Sequence, residues 1–374
     1  SDGNTIGGTN AGDSITTGSN NTAIGKDALT TLTSGSENTG VGKDALQFLT
    51  TGTNNSCVGN RAGEALTTGS SNTAIGSAAL LSNTTASDNV ALGKSALQQN
   101  TTGASNVAVG RGALDANTTA SNNTGIGHLS LSENTTGTQN TAVGAYALDA
   151  NTTADSNTAI GYQSLSANTT GYQNTAVGEQ SLILNTTGNR NTAIGFESLE
   201  DNTTGHYNTG LGYGSLASNT TADYNVAIGY ETLKVNTTGT QNAAVGAHAL
   251  DANTTGSYNI AMGVNALGGN TTASGNTAIG NQAMLSNTTG AENTAVGAYT
   301  LDANTTASAN TAIGYNCLSS NTTGALNTGV GRECLIENTT GDHNTAMGVE
   351  CLKENTTADD NSAFGYFALR ANTT

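Results

Sequence analysis

Residues 157–173 read Asn-Thr-Ala-Ile-Gly-Tyr-Gln-Ser-Leu-Ser-Ala-Asn-Thr-Thr-Gly-Tyr-Gln, and residue 174 begins the same phrase again. In both directions from this stretch, an Asn recurs every 17 residues from Asn4 to Asn361, 22 times without an insertion or deletion. Positions within each repeat are numbered here 1 to 17 from that Asn. Position 5 is Gly in every repeat, and position 13 is Thr in every repeat. Position 4 is large and apolar from the second repeat on, and position 9 is Leu in most, with Met284 once and Gly at Gly12 and Gly63. From the second repeat on, every charged residue falls at position 6, 7, 10, 11, 16 or 17.

A strict short period means a chain that coils and stacks on itself. Seventeen residues are too few for the helix pair of a helical repeat, and Gly, Asn and Thr disfavour helix. Each repeat therefore reads as one turn of a parallel β-solenoid, so the fold class is all-β. Thr-Ala-Ile at positions 2–4 is a short strand. The glycine at position 5 permits a bend there, as at Gly25, Gly76, Gly161, Gly229, Gly297 and Gly365. Equivalent residues stack about 4.8 Å apart, so 22 turns predict one continuous solenoid on the order of 100 Å long over residues 1–374. The first repeat, residues 4–20, is degenerate and reads as an N-terminal edge. The last keeps its full pattern, which predicts that the segment belongs to a longer array or that its ends are covered by other domains or subunits.

The core is expected at positions 4 and 9: Ile24 with Leu29, Ile75 with Leu80, Ile160 with Leu165, and Ile228 with Leu233. Parity complicates this. Successive strand residues face opposite ways. Position 4 is apolar, position 3 is nearly always Ala or Gly, and position 2 on the same face as 4 admits Val90, Val107, Val226 and Ile260. Both faces thus look crowded or apolar, which predicts a second burial surface between chains: a homo-oligomer, with a trimer favoured.

From Asn83 to Asn372 each repeat also carries Asn-Thr-Thr, including Asn100, Asn117, Asn168, Asn236 and Asn304. Each is an N-glycosylation acceptor pattern. The competing reading is an inward ladder of amides. It is favoured because the first four repeats put Ile15, Leu32, Leu49 and Leu66 at that position.

The composition excludes several classes. The 374-residue chain has 27 Asp and Glu against 10 Lys and Arg, a formal charge of -17, and neither Pro nor Trp. That balance disfavours nucleic acid, which needs cations against its phosphates, and anionic membrane surfaces. Nothing resembles a membrane-spanning run. Ser1-Asp2-Gly3-Asn4 does not read as a signal peptide, so for an exported protein the signal is expected upstream of this segment or already removed.

No catalytic, metal or cofactor site is expected. Gly93-Lys94-Ser95 ends like a phosphate-binding loop, but the required earlier Gly is Asp88. Cys317, Cys334 and Cys351 fall at position 8 of successive repeats, and Cys57 at position 3. They read as small buried residues in place of Ala. His128, His206, His248 and His343 share no constellation and read as solvated. Carboxylates are scattered, unlike the in-phase Asp of calcium-binding solenoids. Tyr146, Tyr162, Tyr172, Tyr213 and Tyr230 read as dispersed contact points with no continuous stripe.

The Asn-Thr-Ala-Ile-Gly and Asn-Thr-Ala-Val-Gly blocks resemble the head repeats of YadA-like trimeric autotransporter adhesins. The 17-residue form with Asn-Thr-Thr-Gly is similar to repeats of bacterial surface and phage tail-fibre-like proteins. The resemblance covers the chain from the second repeat on. It implies a left-handed parallel β-roll, usually trimeric, exposed on a cell surface or virion and contacting a host-surface, matrix or glycan ligand. The expected function is therefore a non-enzymatic extracellular fibre rod. The alternatives are a tail-fibre shaft and, because Thr stacks regularly, an ice-binding solenoid.

Overall fold

The computed structural model describes residues 2–373. Among them the chain is all-β, a parallel β-solenoid with 22 three-residue strands, one per repeat. It forms two compact units, Ser1–Arg190 and Asn191–Thr374. The first holds β1 (Thr5–Gly7) to β11 (Thr175–Val177), and the second holds β12 (Thr192–Ile194) to β22 (Ser362–Phe364). Within each unit consecutive strands pair in parallel with a register of one repeat. Thr158, Ala159 and Ile160 lie beside Thr175, Ala176 and Val177, and Thr209, Gly210 and Leu211 beside Val226, Ala227 and Ile228.

The coil is held by backbone bonds between turns. The position 2 amide donates to the position 1 carbonyl of the next turn, as from Thr22 to Asn38 at 2.8 Å. The position 5 amide donates back to position 4 of the preceding turn, as from Gly42 to Ile24 at 2.8 Å. Position 9 donates forward again, Leu29 to Ala45 at 3.1 Å. A chain without Pro keeps all of these donors.

The expected turn glycines have a strict physical cause. Gly161 has φ +136°, and a Cβ there would lie 2.4 Å from the carbonyl oxygen of Gly178. Both the dihedral and the approach of backbone to backbone exclude a side chain. Leu at position 9 also sits at positive φ, for example +52° at Leu29 and +55° at Leu165. Of the three repeats that lack this Leu, two have Gly12 and Gly63 at φ +60° and the third has Met284 at +51°. The left-handed turn thus belongs to the coil, and burial of Leu offsets its steric cost of about 1–2 kcal/mol.

The interior differs from the sequence expectation in one respect. Leu29, Leu80, Leu165 and Leu233 are fully buried, as expected. Ile24, Ile75 and Ile160 are not core: they are 44%, 47% and 39% exposed, and Ile228 is only half-buried. Position 3 points inward instead, and Ala23, Ala74, Ala159 and Ala227 are fully buried. The reason is room. Where position 3 is Gly40, an added Cβ would already meet Leu29 Cγ at 3.1 Å. Position 9 Leu and the small residue at position 8 fill the coil opposite the strand, leaving space for a methyl group; the larger Cys57 fits at position 3 where position 9 is Gly63.

The rest of the interior is amide. Position 1 Asn is buried in both units, and so is position 12 Asn from Asn83 to Asn355. Asn38 Nδ2 donates to the Gly52 carbonyl at 2.9 Å, and its Oδ1 accepts the backbone amide of Asn55 at 3.1 Å. Asn168 Nδ2 donates to Asn151 Oδ1 at 3.1 Å and to the Gly171 carbonyl at 2.9 Å, while its Oδ1 accepts from Asn185 at 2.8 Å. Every such amide is saturated, as a buried polar group must be. Asn83 follows Leu66, so its Nδ2 has no amide behind it and donates only to the Ala86 carbonyl at 3.1 Å, while its Oδ1 turns to its own repeat and accepts the Ala86 amide at 3.1 Å. Asn372 is half-buried and donates to Asn355 at 3.2 Å.

Candidate interaction surfaces

Three outward features are candidates: the strand face, two aromatic columns and a column of hydroxyls. The strand face is formed by positions 2 and 4. No charged residue occupies either position in any repeat. In the first unit it presents Thr22 and Ile24, Thr39 and Val41, Val107 and Val109, and so on through Thr175 and Val177. β-Branched side chains have little χ1 freedom, so this face is pre-ordered. In the first unit its position 6 border carries Lys26, Lys43, Lys94 and Arg111.

In the second unit the border is aromatic. Phe196, Tyr213 and Tyr230 occupy position 6 of three successive turns. Their rings stack with centroids 5.6 and 5.2 Å apart and planes 13° and 11° from parallel. Tyr207 and Tyr224 stack on the other border at 4.8 Å and 4°, and Tyr258 stands two turns further, 63% exposed. Between them lie Leu211, Val226, Val245, Ile260 and Met262, all exposed. The sequence reading of dispersed tyrosines missed these columns. Their signal was available: residues 196, 213 and 230 are spaced by 17, and so are 207 and 224.

Charged groups pair locally. Glu350 is nearly buried and receives Arg332 at 3.3 Å, Lys353 at 3.2 Å and Arg370 at 3.3 Å. Lys353 also holds the Glu333 carboxyl below its usual range. His248 lies 3.6 Å from Glu231 and 3.5 Å from Asp251, and Tyr230 meets its ring edge-on at 5.3 Å. Among the described residues no three His, Cys, Asp or Glu side chains converge as metal ligands would. Asp115, Asp149 and Asp302 share position 10, and each has one buried carboxylate oxygen without a hydrogen-bond partner among the described residues. Burial raises all three above the usual carboxylate range.

All four cysteines are buried free thiols. Burial pushes the Cys57 thiol up to about 12, which leaves it unreactive. Cys334 and Cys351 Sγ donate to the Ala346 and Ala363 carbonyls at 3.2 and 3.3 Å. They take the place of the Ser hydroxyl that bonds the same way at Ser164. A surface cleft of about 260 Å³ lies among Phe48, Arg61, Glu64, Ala65, Leu81 and Ser82. Its polar groups are an Arg61–Glu64 ion pair and Ser82.

Position 15 carries a pattern that the sequence reading overlooked. Ala replaces Gly in seven repeats, at Ala86, Ala120, Ala154, Ala222, Ala273, Ala307 and Ala358, and never in two successive repeats. Each of these Ala is followed by Ser or Asp. That side chain accepts the position 16 amide of the preceding turn, as Ser121 does from Ala104 at 3.0 Å and Asp155 from Thr138 at 2.6 Å.

No family model matches the chain, and no curated protein matches it either.

Proposed function

We propose that the chain is a non-enzymatic structural segment of an extracellular or cell-surface fibre. Its strand face packs against copies of itself, with three chains about a common axis. The observation that carries this is the outward position 4 column. Burying the exposed part of each Ile or Val there would contribute roughly 1 kcal/mol per turn, repeated along the face. The absence of charge at positions 2 and 4 removes the desolvation cost that would oppose it. The aromatic borders of the second unit widen the same surface and match the residue types enriched in interfaces. The variable positions then remain for contact with a host surface, matrix protein or glycan. A tail-fibre shaft would draw on the same physics.

Sedimentation equilibrium tests this. The expected mass is three times the 37.1 kDa of one chain. Ile194→Lys, Leu211→Lys and Ile228→Lys together place charge on the outward face without touching the interior. They should shift the protein towards monomer with its fold intact. An unsubstituted chain that is monomeric at micromolar concentration would overturn the proposal. The open Thr and β-branched columns of the strand face would then favour ice binding, which thermal hysteresis would detect.

A further inference from the structure

Position 14 carries a hydroxyl in all 22 repeats: Ser34 once and Thr everywhere else, from Thr17 onward. It is exposed in every repeat described, from Thr17 to Thr357. The neighbouring position 13 Thr is explained by the fold. Its hydroxyl donates to the position 13 carbonyl of the next turn, as from Thr50 to Thr67 and from Thr101 to Thr118 at 3.0 and 2.9 Å. Position 14 has no such explanation. Among the described residues, none of its hydroxyls bonds another part of the chain.

The alternative reasons for an invariant hydroxyl fail one by one. A preference for a β-branched residue would admit Val or Ile, as position 2 does at Val90 and Ile260, and would exclude Ser34. A demand for any polar residue would admit the Lys, Glu, Asn and Gln found at the other exposed positions. The N-glycosylation pattern does require a hydroxyl two residues after Asn. Yet Thr17, Ser34, Thr51 and Thr68 keep the hydroxyl in the four repeats where that Asn is Ile15, Leu32, Leu49 or Leu66. The pattern therefore does not account for it. Nor are the asparagines available: Asn83, Asn100, Asn117, Asn168, Asn236 and Asn304 are fully buried with their amides in the ladder.

We propose that the position 14 hydroxyls are acceptors for O-linked sugar, and that the asparagines of the same block are not. In the step, Thr Oγ1 bonds to the anomeric carbon of a nucleotide-activated sugar. The bond from that carbon to the diphosphate oxygen breaks, and the nucleoside diphosphate leaves with the electron pair. The hydroxyl proton passes to a base of the transferase. The next residue, position 15, is Gly or Ala and inward, so no side chain there covers the hydroxyl. Successive acceptors are one turn apart, about 4.8 Å, which is narrower than a substituted hexose. Occupied sites should therefore skip turns. A single column does not make the flat two-column array that ice would need, because position 16 beside it carries residues as different as Tyr172, His206 and Asp342.

The test is residue-level mass mapping of the full chain isolated from cells that naturally make it, with the chain made in a bacterium lacking protein glycosyltransferases as the unmodified reference. The expected result is sugar on position 14 threonines, including Thr51 and Thr68, with Asn83 and Asn117 unmodified. Thr51→Val and Thr68→Val should remove the sugar at those turns and leave the circular dichroism spectrum unchanged. Unmodified position 14 threonines, or sugar on position 12 asparagines, would overturn the proposal. So would thermal hysteresis lost in these Val variants of an unmodified protein, which would assign the column to ice. The proposal does not depend on oligomeric state.

Discussion

Replacing Asn168 by Ala removes one rung of the position 12 ladder, in the last repeat but one of the first unit. Three hydrogen bonds go with it: to Asn151 Oδ1 at 3.1 Å, to the Gly171 carbonyl at 2.9 Å, and from Asn185 Nδ2 at 2.8 Å. Two of the former partners keep another bond. The Gly171 carbonyl still accepts from Asn157 at 2.9 Å, and Asn185 still donates to Gly188 at 3.0 Å. Asn151 Oδ1 is left facing a cavity, with the escape that Asn83 shows, turning to accept an amide of its own repeat. At about 1 kcal/mol net per bond, with a further cost of about 1 kcal/mol for the cavity and the stranded oxygen, the loss is about 2–4 kcal/mol. Asn168→Leu fills the cavity, as Leu32, Leu49 and Leu66 do naturally at this position, and should cost about half as much. A long repeat array is poorly served by a single global midpoint. The assay is therefore native-state hydrogen exchange, read by mass spectrometry on peptides spanning residues 140–190. The Ala variant should exchange there on the order of 30- to 1000-fold faster, with peptides near Thr22–Ile24 unchanged. A change below threefold would refute the idea that the amide ladder holds the coil. A Leu variant worse than the Ala variant would refute the idea that Leu can fill this slot in place of the amide.

Two further outcomes follow from the geometry. Gly103→Ala would set Ala in three successive turns, where an added Cβ lies 2.1 Å from the Ala120 carbonyl oxygen. It should cost about 2 kcal/mol or more by local hydrogen exchange, whereas Ala120→Gly should cost less than half of that. The paired result would fail if both were neutral. For Asp115, Asp149 and Asp302, burial raises the folded-state values above the unfolded ones. The folded chain therefore binds more protons between the two values. Stability from these groups is full below the unfolded value near 3.8 and is lost as pH rises through the raised value. The triple Asp→Asn variant should accordingly be more stable than the parent at pH 7, by up to about 1 kcal/mol per site, with the gain vanishing at pH 3. Equal gains at both pH values in thermal unfolding would contradict the burial explanation.

Much of the solenoid was legible because its constraints recur at a fixed place in each turn. Gly at position 5 repeats because the next turn's carbonyl leaves no room for Cβ. Leu at position 9 repeats because the interior has one large slot. The inward position 12 was legible too, since Leu32, Leu49 and Leu66 stand where Asn stands later. The aromatic columns were equally present in the spacing of 17 between Phe196, Tyr213 and Tyr230, but residue types at variable positions were read singly rather than by phase. The coupling of Ala at position 15 to Ser or Asp at 16 was written in the sequence as well. Its meaning required the distance from Cβ to the neighbouring carbonyl, a contact between turns that no single repeat contains.

The strand itself marks the boundary between the two sources. Alternation alone determined that Thr22 and Ile24 share one face and that Ala23 takes the other. It could not determine which face was inside, because a three-residue strand with a methyl on one side and larger apolar groups on the other can be oriented either way. The tertiary structure decided it by volume. Leu29 and Ala28 close across the coil and leave room for Ala23 alone, so the isoleucines and valines, the most hydrophobic side chains of the strand, are turned out to form its surface.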